Sequence, residues 1–205
     1  ANLIKNSKKP ILYVGGGIIH SKANKELFDL ATKFNIPVVT TLMGRGAFPD
    51  GHELCLEMPG MHGNYTATTS IQKSDLLIAI GVRFDDRVTA NPSFFAQNAK
   101  VIHADIDPAE IGKVREAQVP IVGDAKSVIL GLIDALQDEE LDTKNWINEL
   151  NSMKTEYPLS YNQDENGPLK VPFVLEELQN LTEEEAIVVS GVGQHQMWIS
   201  QHWNF

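Results

Sequence analysis

The sequence is poor in cysteine, with Cys55 alone among 205 residues, so it can form no internal disulfide and no cysteine-based metal cluster. Such cysteine use is typical of a reducing compartment, and we expect the protein to work in the cytoplasm. No apolar run approaches the ~20 residues that cross a bilayer. No apolar block follows the lysines near the amino end. We therefore expect neither membrane partners nor a secretory signal in this sequence.

Positive charge is also scarce, because 17 Lys and Arg residues face 27 Asp and Glu residues, for a formal net charge of -10. Nucleic-acid binding needs a basic face that displaces counterions, so we exclude nucleic acid as a partner. Six histidines are present, but none forms the spaced pair with an acidic neighbour that indicates zinc. We therefore expect no metal site within the sequence.

Strand, turn and helix patterns alternate along the chain. The apolar run at 76–80 is too short for a helix and lacks polar alternation, which predicts a strand covered on both faces. Further strands are predicted at 9–14, 36–43, 100–105, 119–122 and 186–190. Helices are predicted at 22–34 with Ser21 as N-cap, 64–73, 93–98, 126–136, 143–157, 171–181 and after 191–193. This repetition predicts an α/β fold with a doubly wound, mainly parallel Rossmann-like sheet and a C-terminal α/β extension.

Composition divides the chain into three parts. An acidic stretch at 137–142 and a polar linker at 158–168 separate the repeated units from the tail. We predict a first domain at 1–140, a helix and linker at 141–170, and the start of another domain at 171–205. Since the sequence opens on Ala1 without a methionine, we expect an excised piece of a longer protein.

The predicted strand at 76–80 runs into Gly81 and then into Arg83-Phe-Asp-Asp-Arg87. Ligands of open α/β sheets bind beyond the carboxyl ends of strands. Arginine forks suit a phosphate or diphosphate, while Asp85 and Asp86 could orient them or accept from sugar hydroxyls. The same four charges would equally suit a solvated loop in which they pair with one another.

Other strand ends carry weaker signals. The three glycines at 15–17 suit a phosphate or ribose, but they lack the G-x-G-x-x-G spacing and would also suit a tight turn without a ligand. Asp105 is a candidate for ribose hydroxyls, whereas Asp107 is better explained as a turn or cap residue. His62 is better explained as a hydrogen-bonded loop residue than as a catalyst.

Six segments together closely resemble the large catalytic subunits of acetolactate synthase, also called acetohydroxyacid synthase. They are Gly15-Gly-Gly17, Thr41-Leu-Met-Gly44, Gly60-Met-His-Gly63, Gly81-Val-Arg-Phe-Asp-Asp-Arg-Val88, Asp105-Ile-Asp-Pro-Ala-Glu-Ile111 and Gly191-Val-Gly-Gln-His-Gln-Met-Trp198. The resemblance covers nearly the whole chain. It implies the central FAD-binding domain plus the start of the domain that binds the thiamine diphosphate moiety.

The resemblance implies a set of cofactor contacts but no catalytic residue in this stretch. FAD would contact Gly15, Gly16, Gly17, Thr41, Leu42, Met43, Met61, His62, Gly81, Arg83, Asp85, Arg87 and Val88, with Asp105, Ile106, Asp124 and Ala125 on the adenosine side. Thiamine diphosphate would contact Gly191, Val192, Gly193, Gln194 and His195, while Gln196 and Met197 would approach the flavin.

The resemblance also implies an activity for the intact enzyme: decarboxylation of pyruvate on thiamine diphosphate and addition of the two-carbon unit to pyruvate or 2-oxobutyrate, in branched-chain amino-acid biosynthesis. It implies Mg²⁺, a homo-oligomer and a possible regulatory small subunit. The family's activating glutamate and its Mg²⁺-binding motif lie outside this sequence, so we expect the piece alone to be inactive.

Three alternatives stay open at this point. One is a related carboligase, such as a FAD-free catabolic synthase or glyoxylate carboligase. Another is a nucleotide-binding or regulatory domain with a sirtuin-like sheet and no catalysis. The third is a purely structural domain whose flavin affinity requires neighbouring walls. A bound flavin would distinguish the acetolactate synthase interpretation from most of these alternatives.

Overall fold

A computed structural model describes residues 1–137, 139–183 and 186–205. Its centre is a sheet of five parallel strands in the order β2-β1-β3-β4-β5. The strands are β1 (Pro10–Val14), β2 (Val38–Thr40), β3 (Leu76–Ile80), β4 (Lys100–Asp105) and β5 (Val119–Val122). Both β1 and β3 are buried along their whole length, as their unbroken apolar runs predict. The predicted doubly wound parallel sheet is therefore confirmed.

Helices precede the sheet, lie between its strands and follow it, and several of them pack on its two faces. They are α1 (Asn2–Lys5), α2 (Gly16–His20), α3 (Asn24–Phe34), α4 (Tyr65–Lys73), α5 (Asp86–Thr89), α6 (Ala125–Ala135), α7 (Lys144–Glu156), α8 (Val171–Leu181) and α9 (Gln194–His202). Side chains fix several starting points, since Asn64 accepts a hydrogen bond from the Ala67 amide and Asp124 accepts one from the Ser127 amide. These are N-caps, which satisfy donors that the helix itself cannot pair.

Alternate strand residues feed two separate hydrophobic cores. On one face, Leu12 and Ile78 pack with Leu27 of α3 and Ile129 of α6. On the other, Ile11, Tyr13 and Leu77 pack with α4 and with Trp146 of α7. The two-residue period of a strand sends successive side chains to opposite faces, so each of the strands β1 to β4 serves both cores.

The order of the strands reverses between β1 and β3. The chain moves from β1 outward to β2 and then returns to place β3 on the other side of β1. Connections that leave two adjacent parallel strands in opposite directions open a crevice at their carboxyl ends. The ends of β1 and β3, at Gly15 and Gly81, therefore border the natural ligand position of this fold.

The first helical region differs from the prediction. Instead of one helix at 22–34 capped by Ser21, α2 and α3 are separated at Lys22, whose φ of +53° lies in the left-handed region. The Ser21 hydroxyl donates instead to the carbonyls of Gly17 and Ile18, at the end of α2. The predicted N-cap role of Ser21 is wrong because Ser21 is the C-cap of α2, whereas α3 begins at Asn24 with Ala23 as its N-cap.

Three other elements also differ. The second strand ends at Thr40, since Leu42–Gly44 form a 3-10 turn, and the predicted helix at 93–98 is only a 3-10 turn at Pro92–Phe94. The predicted strand at 186–190 was wrong: these residues are irregular, with Ile187 92% exposed. An apolar run becomes a strand only where another strand accepts its hydrogen bonds, and none is paired with it in the described structure.

A buried ion pair fixes the loop after β2 and receives the tail. Arg45 and Asp50 form two hydrogen bonds of 2.8 and 2.7 Å, with side chains 6% and 1% exposed. The Phe205 amide donates to Asp50 at 2.7 Å, and the Arg45 guanidinium lies over the Phe205 ring. The loop and the carboxyl end of the chain are thus joined through one pair of charges.

Along the described ranges, no helix is long and apolar enough to cross a membrane.

We predict that Trp146→Phe lowers the free energy of unfolding by about 1–3 kcal/mol, because the Trp146 indole N–H donates to the Pro10 carbonyl at a site only 1% exposed. Urea unfolding followed by circular dichroism measures the change. The half-buried Trp203 provides the control, and Trp203→Phe should change the value by less than about 0.5 kcal/mol. Equal stability of Trp146→Phe and wild type would contradict this role of the indole.

We also predict that Cys55 resists thiol reagents in the folded protein. Burial, with the nearby Asp50 carboxylate, raises the pKa of the Cys55 thiol to about 12, so the reactive thiolate is scarce at pH 8. Labelling with a disulfide reagent should be at least about a hundredfold slower in buffer than in denaturing urea, since it requires local opening. Cys55→Ser serves as the blank, and equal rates in the two solutions would refute the burial argument.

Candidate functional site

The carboxyl ends of β1 and β3 touch through backbone alone. A Cβ built on Gly17 would lie 2.6 Å from the Cα of Gly81, and one built on Gly15 would lie 2.4 Å from the Gly81 carbonyl oxygen. The Gly17 amide donates to that carbonyl at 3.3 Å, and Gly81 has a φ of +61°. Side chains cannot fit where the backbones of Gly15, Gly17 and Gly81 approach so closely, which explains why glycine occupies both strand ends. We call this backbone contact the glycine crossing.

Phe84 anchors the charged loop that follows β3. Its φ is +53°, and its ring is 2% exposed between Tyr13, Phe95 and His103, with centroid distances of 5.5, 6.1 and 5.0 Å. Burial raises the pKa of the Tyr13 hydroxyl, which therefore stays neutral. Because Phe84 points inward, its neighbours on both sides are directed into solvent.

The arginines of this loop remain exposed. The Arg83 guanidinium lies 3.9 Å from the Asp85 carboxylate, with the two side chains 70% and 52% exposed, which is a weak surface ion pair. Asp85 has a second function, since its carboxylate accepts from the Arg87 amide at 3.0 Å as the N-cap of α5. Arg83 and Asp85 thus form a weak pair of the kind that a solvated loop would contain, and both guanidinium groups are exposed, so they can also meet an anion.

The loop before α4 lies against α5. The Met61 amide donates to the Arg87 carbonyl at 2.9 Å, and a Cβ on Gly60 would lie 2.6 Å from the same oxygen. Met61 is 65% exposed, and His62 is exposed as well. The structure therefore brings Met61 and His62 beside Arg87 and Val88, although residues 63–86 separate the two segments in the sequence.

The turn after β2 closes the other side of the crossing. The Thr41 amide donates to the Val14 carbonyl at 2.9 Å, and Gly44 packs so closely that a Cβ there would lie 2.9 Å from the same oxygen. Met43 is 72% exposed. Thr41, Leu42 and Met43 therefore adjoin the three glycines at 15–17, as the shared strand-end position predicts.

The ends of β4 and β5 continue the same edge. The Gly123 amide donates to the Asp105 carbonyl at 2.9 Å, while the Asp105 carboxylate accepts from the Asp107 amide. Ile106 is 73% exposed, and Asp124 caps α6, whose first residue is Ala125. The carboxylates of Asp105 and Asp124 thus shape turns in this structure and lie at the end of the edge farthest from β2.

The tail reaches this edge through the end of α9. The side chain of Gln201 donates to the His62 carbonyl at 2.8 Å, whereas the preceding turn is open, with Val192 89% exposed. The predicted thiamine diphosphate and flavin contacts of the tail occupy this turn and the first part of α9: Gly191, Val192, Gly193, Gln194, His195, Gln196 and Met197. They are neighbours in sequence, and the tail's hydrogen bonds to the sheet domain are made later, by Gln201 near the end of α9 and by Phe205 beyond it.

Two residues of the site were missed from the sequence. Phe84 is an apolar residue inside a charged run, and His103 is the one polar residue inside the buried segment 101–104 of β4. Each breaks the pattern around it, and that interruption was the available signal. Periodicity alone does not reveal it, because neither residue changes the type of the secondary-structure element.

The edge combines features that suit a dinucleotide. It offers close backbone approach at the crossing, two exposed guanidinium groups, and the exposed apolar side chains of Met43, Met61 and Ile106. Flat rings pack on apolar side chains, and diphosphates pair with arginine forks. In the part of the chain that the structure describes, no group of three or more His, Cys, Asp or Glu side chains is arranged to hold a metal ion.

Comparisons with known proteins give the chain its relatives. Residues 1–132 match the family model described as thiamine pyrophosphate enzyme, central domain. The chain is 54% identical over 205 residues to an acetolactate synthase of Mycobacterium leprae, 49% identical over 206 residues to an acetolactate synthase large subunit of Corynebacterium glutamicum, and 45% identical over 207 residues to the chloroplastic acetolactate synthase 2 of Nicotiana tabacum.

These matches include 98%, 99% and 99% of this chain but only 33%, 33% and 31% of the relatives. The chain therefore spans about a third of the length of the curated relatives it matches. The resemblance to acetolactate synthases drawn from the six motifs is confirmed by these similarities. Since the family model covers well over half of the chain, the chain belongs to the thiamine pyrophosphate enzymes and contains their central domain.

Proposed function

We propose that this chain binds FAD along the carboxyl edge of its sheet, as the central part of an acetolactate synthase. The observation that carries the proposal is the glycine crossing of Gly15, Gly17 and Gly81, flanked by the exposed arginines 83 and 87. The similarity of almost the whole chain to acetolactate synthases supports the choice among dinucleotides.

The residues of the edge fit the parts of FAD. Arg83 and Arg87 would pair with the diphosphate, and the backbone of the segment 15–17 permits close approach of the same group. Met43 and Met61, both largely exposed, would cover the flat rings. Ile106, at the far end of the edge, would contact the adenosine. These assignments extend over the strand ends that the fold brings together.

For the whole protein, we propose decarboxylation of pyruvate and condensation of the two-carbon unit with pyruvate or 2-oxobutyrate, in branched-chain amino-acid synthesis. Thiamine diphosphate supplies the electron sink for this chemistry when it is bound. In this chain, the turn at Gly191, Gly193 and His195 would contact that cofactor. Within the described ranges the acidic side chains do not fit Mg²⁺, so no step is assigned to the metal here.

The setting of the protein follows the same proposal. We place it in the cytoplasm because its single cysteine is a buried thiol, as suits a reducing compartment. A homo-oligomer and a regulatory small subunit belong to the proposal for the whole protein. We also propose the domain boundaries at 140 and 170. The helix α7, between these boundaries, packs in the second core through Trp146, so the first domain and this helix share a hydrophobic contact.

A titration with FAD, followed by flavin fluorescence, tests the cofactor site. We expect saturable binding, and we expect Arg83→Ala and Arg87→Ala each to weaken the affinity by at least about tenfold, because each removes a charge-assisted hydrogen bond to the diphosphate. Weakening should be smaller at high salt, since both side chains are solvent-exposed.

Lys144→Ala is the matched control, because it removes the same charge from an exposed position at the start of α7. Its affinity for FAD should equal that of wild type. Failure of the wild-type chain to bind FAD, or equal losses in all three variants, would contradict the proposed site. Tighter binding of NAD than of FAD would favour a general nucleotide-binding domain.

A further inference from the structure

His103 makes two hydrogen bonds from inside the sheet. It lies on β4 with no exposed surface. Its Nε2 atom is 2.9 Å from the Val82 carbonyl oxygen, and its Nδ1 atom is 3.3 Å from the Gly112 amide nitrogen. The surrounding residues of β4 are apolar and buried, so the imidazole occupies a position where a polar group is costly unless it is fully paired.

The two partners define the proton on the ring. A carbonyl oxygen can only accept, so Nε2 carries the hydrogen and donates it to Val82. A backbone amide can only donate, so Nδ1 is the acceptor for Gly112. A neutral imidazole therefore satisfies one acceptor and one donor at once, and no aliphatic side chain of similar size could do so.

These partners belong to two different loops of the proposed cofactor edge. Val82 immediately precedes Arg83 in the loop after β3, and Gly112 lies in the connection from β4 to β5 that begins with Ile106. The ring also packs edge-on against Phe84, at 5.0 Å between centroids. Gly112 has a φ of +76°, in the left-handed region, and its amide donates to His103 from this conformation.

We infer that His103 is a positioning residue that joins these two loops and so sets the spacing between Arg83 and Ile106 along the edge. The inference rests on the proposed FAD site and deepens it, because these two residues would meet the diphosphate and the adenosine of the same ligand. His103 touches neither the ligand position nor solvent, and acts through Val82 and Gly112.

Three substitutions separate the two hydrogen bonds. His103→Gln can keep a donor near Nε2, His103→Asn can keep an acceptor near Nδ1, and His103→Leu keeps neither. Leu150→Ala is the control for general destabilisation, because Leu150 is 1% exposed in the second core and belongs to α7, not to either loop. All variants are compared in the 205-residue chain at a temperature where circular dichroism shows each to be folded.

Hydrogen exchange of the Gly112 amide measures directly whether His103 connects the two loops. We expect its rate to rise about tenfold in His103→Leu and His103→Gln, as for the loss of one hydrogen bond, and to stay near wild type in His103→Asn and Leu150→Ala. The FAD dissociation constant should rise about tenfold in His103→Leu and remain unchanged in Leu150→Ala. This contrast is one that a merely stabilising residue would not produce.

The outcomes are distinct. An unchanged Gly112 exchange rate in His103→Leu would contradict the claim that His103 connects the two loops. Faster exchange with an unchanged FAD affinity would contradict the positioning role of His103. Absence of FAD binding by the wild-type chain would instead refute the proposed cofactor site. In that case the exchange rates alone would decide whether His103 joins the loops.

Discussion

The contact on which the rest of the site depends is the backbone crossing of β1 and β3. Gly17 and Gly81 approach until a single Cβ would collide, and one amide–carbonyl hydrogen bond spans them. This contact lies at the position where the reversal of strand order opens a crevice between the two strands. The loop 83–88 therefore starts from a fixed position after β3, and the turn 41–43 after β2 adjoins the glycines 15–17 at the same edge.

Buried neutral groups hold the exposed charged groups of this edge in place. Phe84 and His103 lie inside the domain, whereas Arg83 and Asp85 lie outside it and pair only weakly. An exposed guanidinium contributes little to folding, so it can be reserved for a ligand without a large loss of stability. The cost in stability lies instead in the two buried residues. Phe84 adopts a left-handed backbone conformation, and the polar ring of His103, on an apolar strand, needs two hydrogen-bond partners.

The fold was predictable where local pattern and global packing agree. The apolar runs of β1 and β3 predicted covered parallel strands, and the shared carboxyl edge of such strands predicted which loops would meet. The predicted helix at 22–34 is present as α3, but its start was misplaced, because the left-handed residue Lys22 separates α2 from α3 without a glycine or proline to signal the break. The strand at 186–190 failed because strand formation depends on a partner, which a local pattern cannot report. Phe84 and His103 were missed because their roles arise from contacts between distant segments.

The most direct test of the crossing compares Gly17→Ala with Gly131→Ala. The added methyl of Gly17→Ala would meet the Gly81 backbone, whereas Gly131 lies in α6 with no atom within 4 Å of an added Cβ. Flavin titration of the folded variants should show at least about a tenfold loss of FAD affinity for Gly17→Ala and wild-type affinity for Gly131→Ala. Wild-type affinity in Gly17→Ala would contradict the claim that this backbone contact positions the cofactor edge.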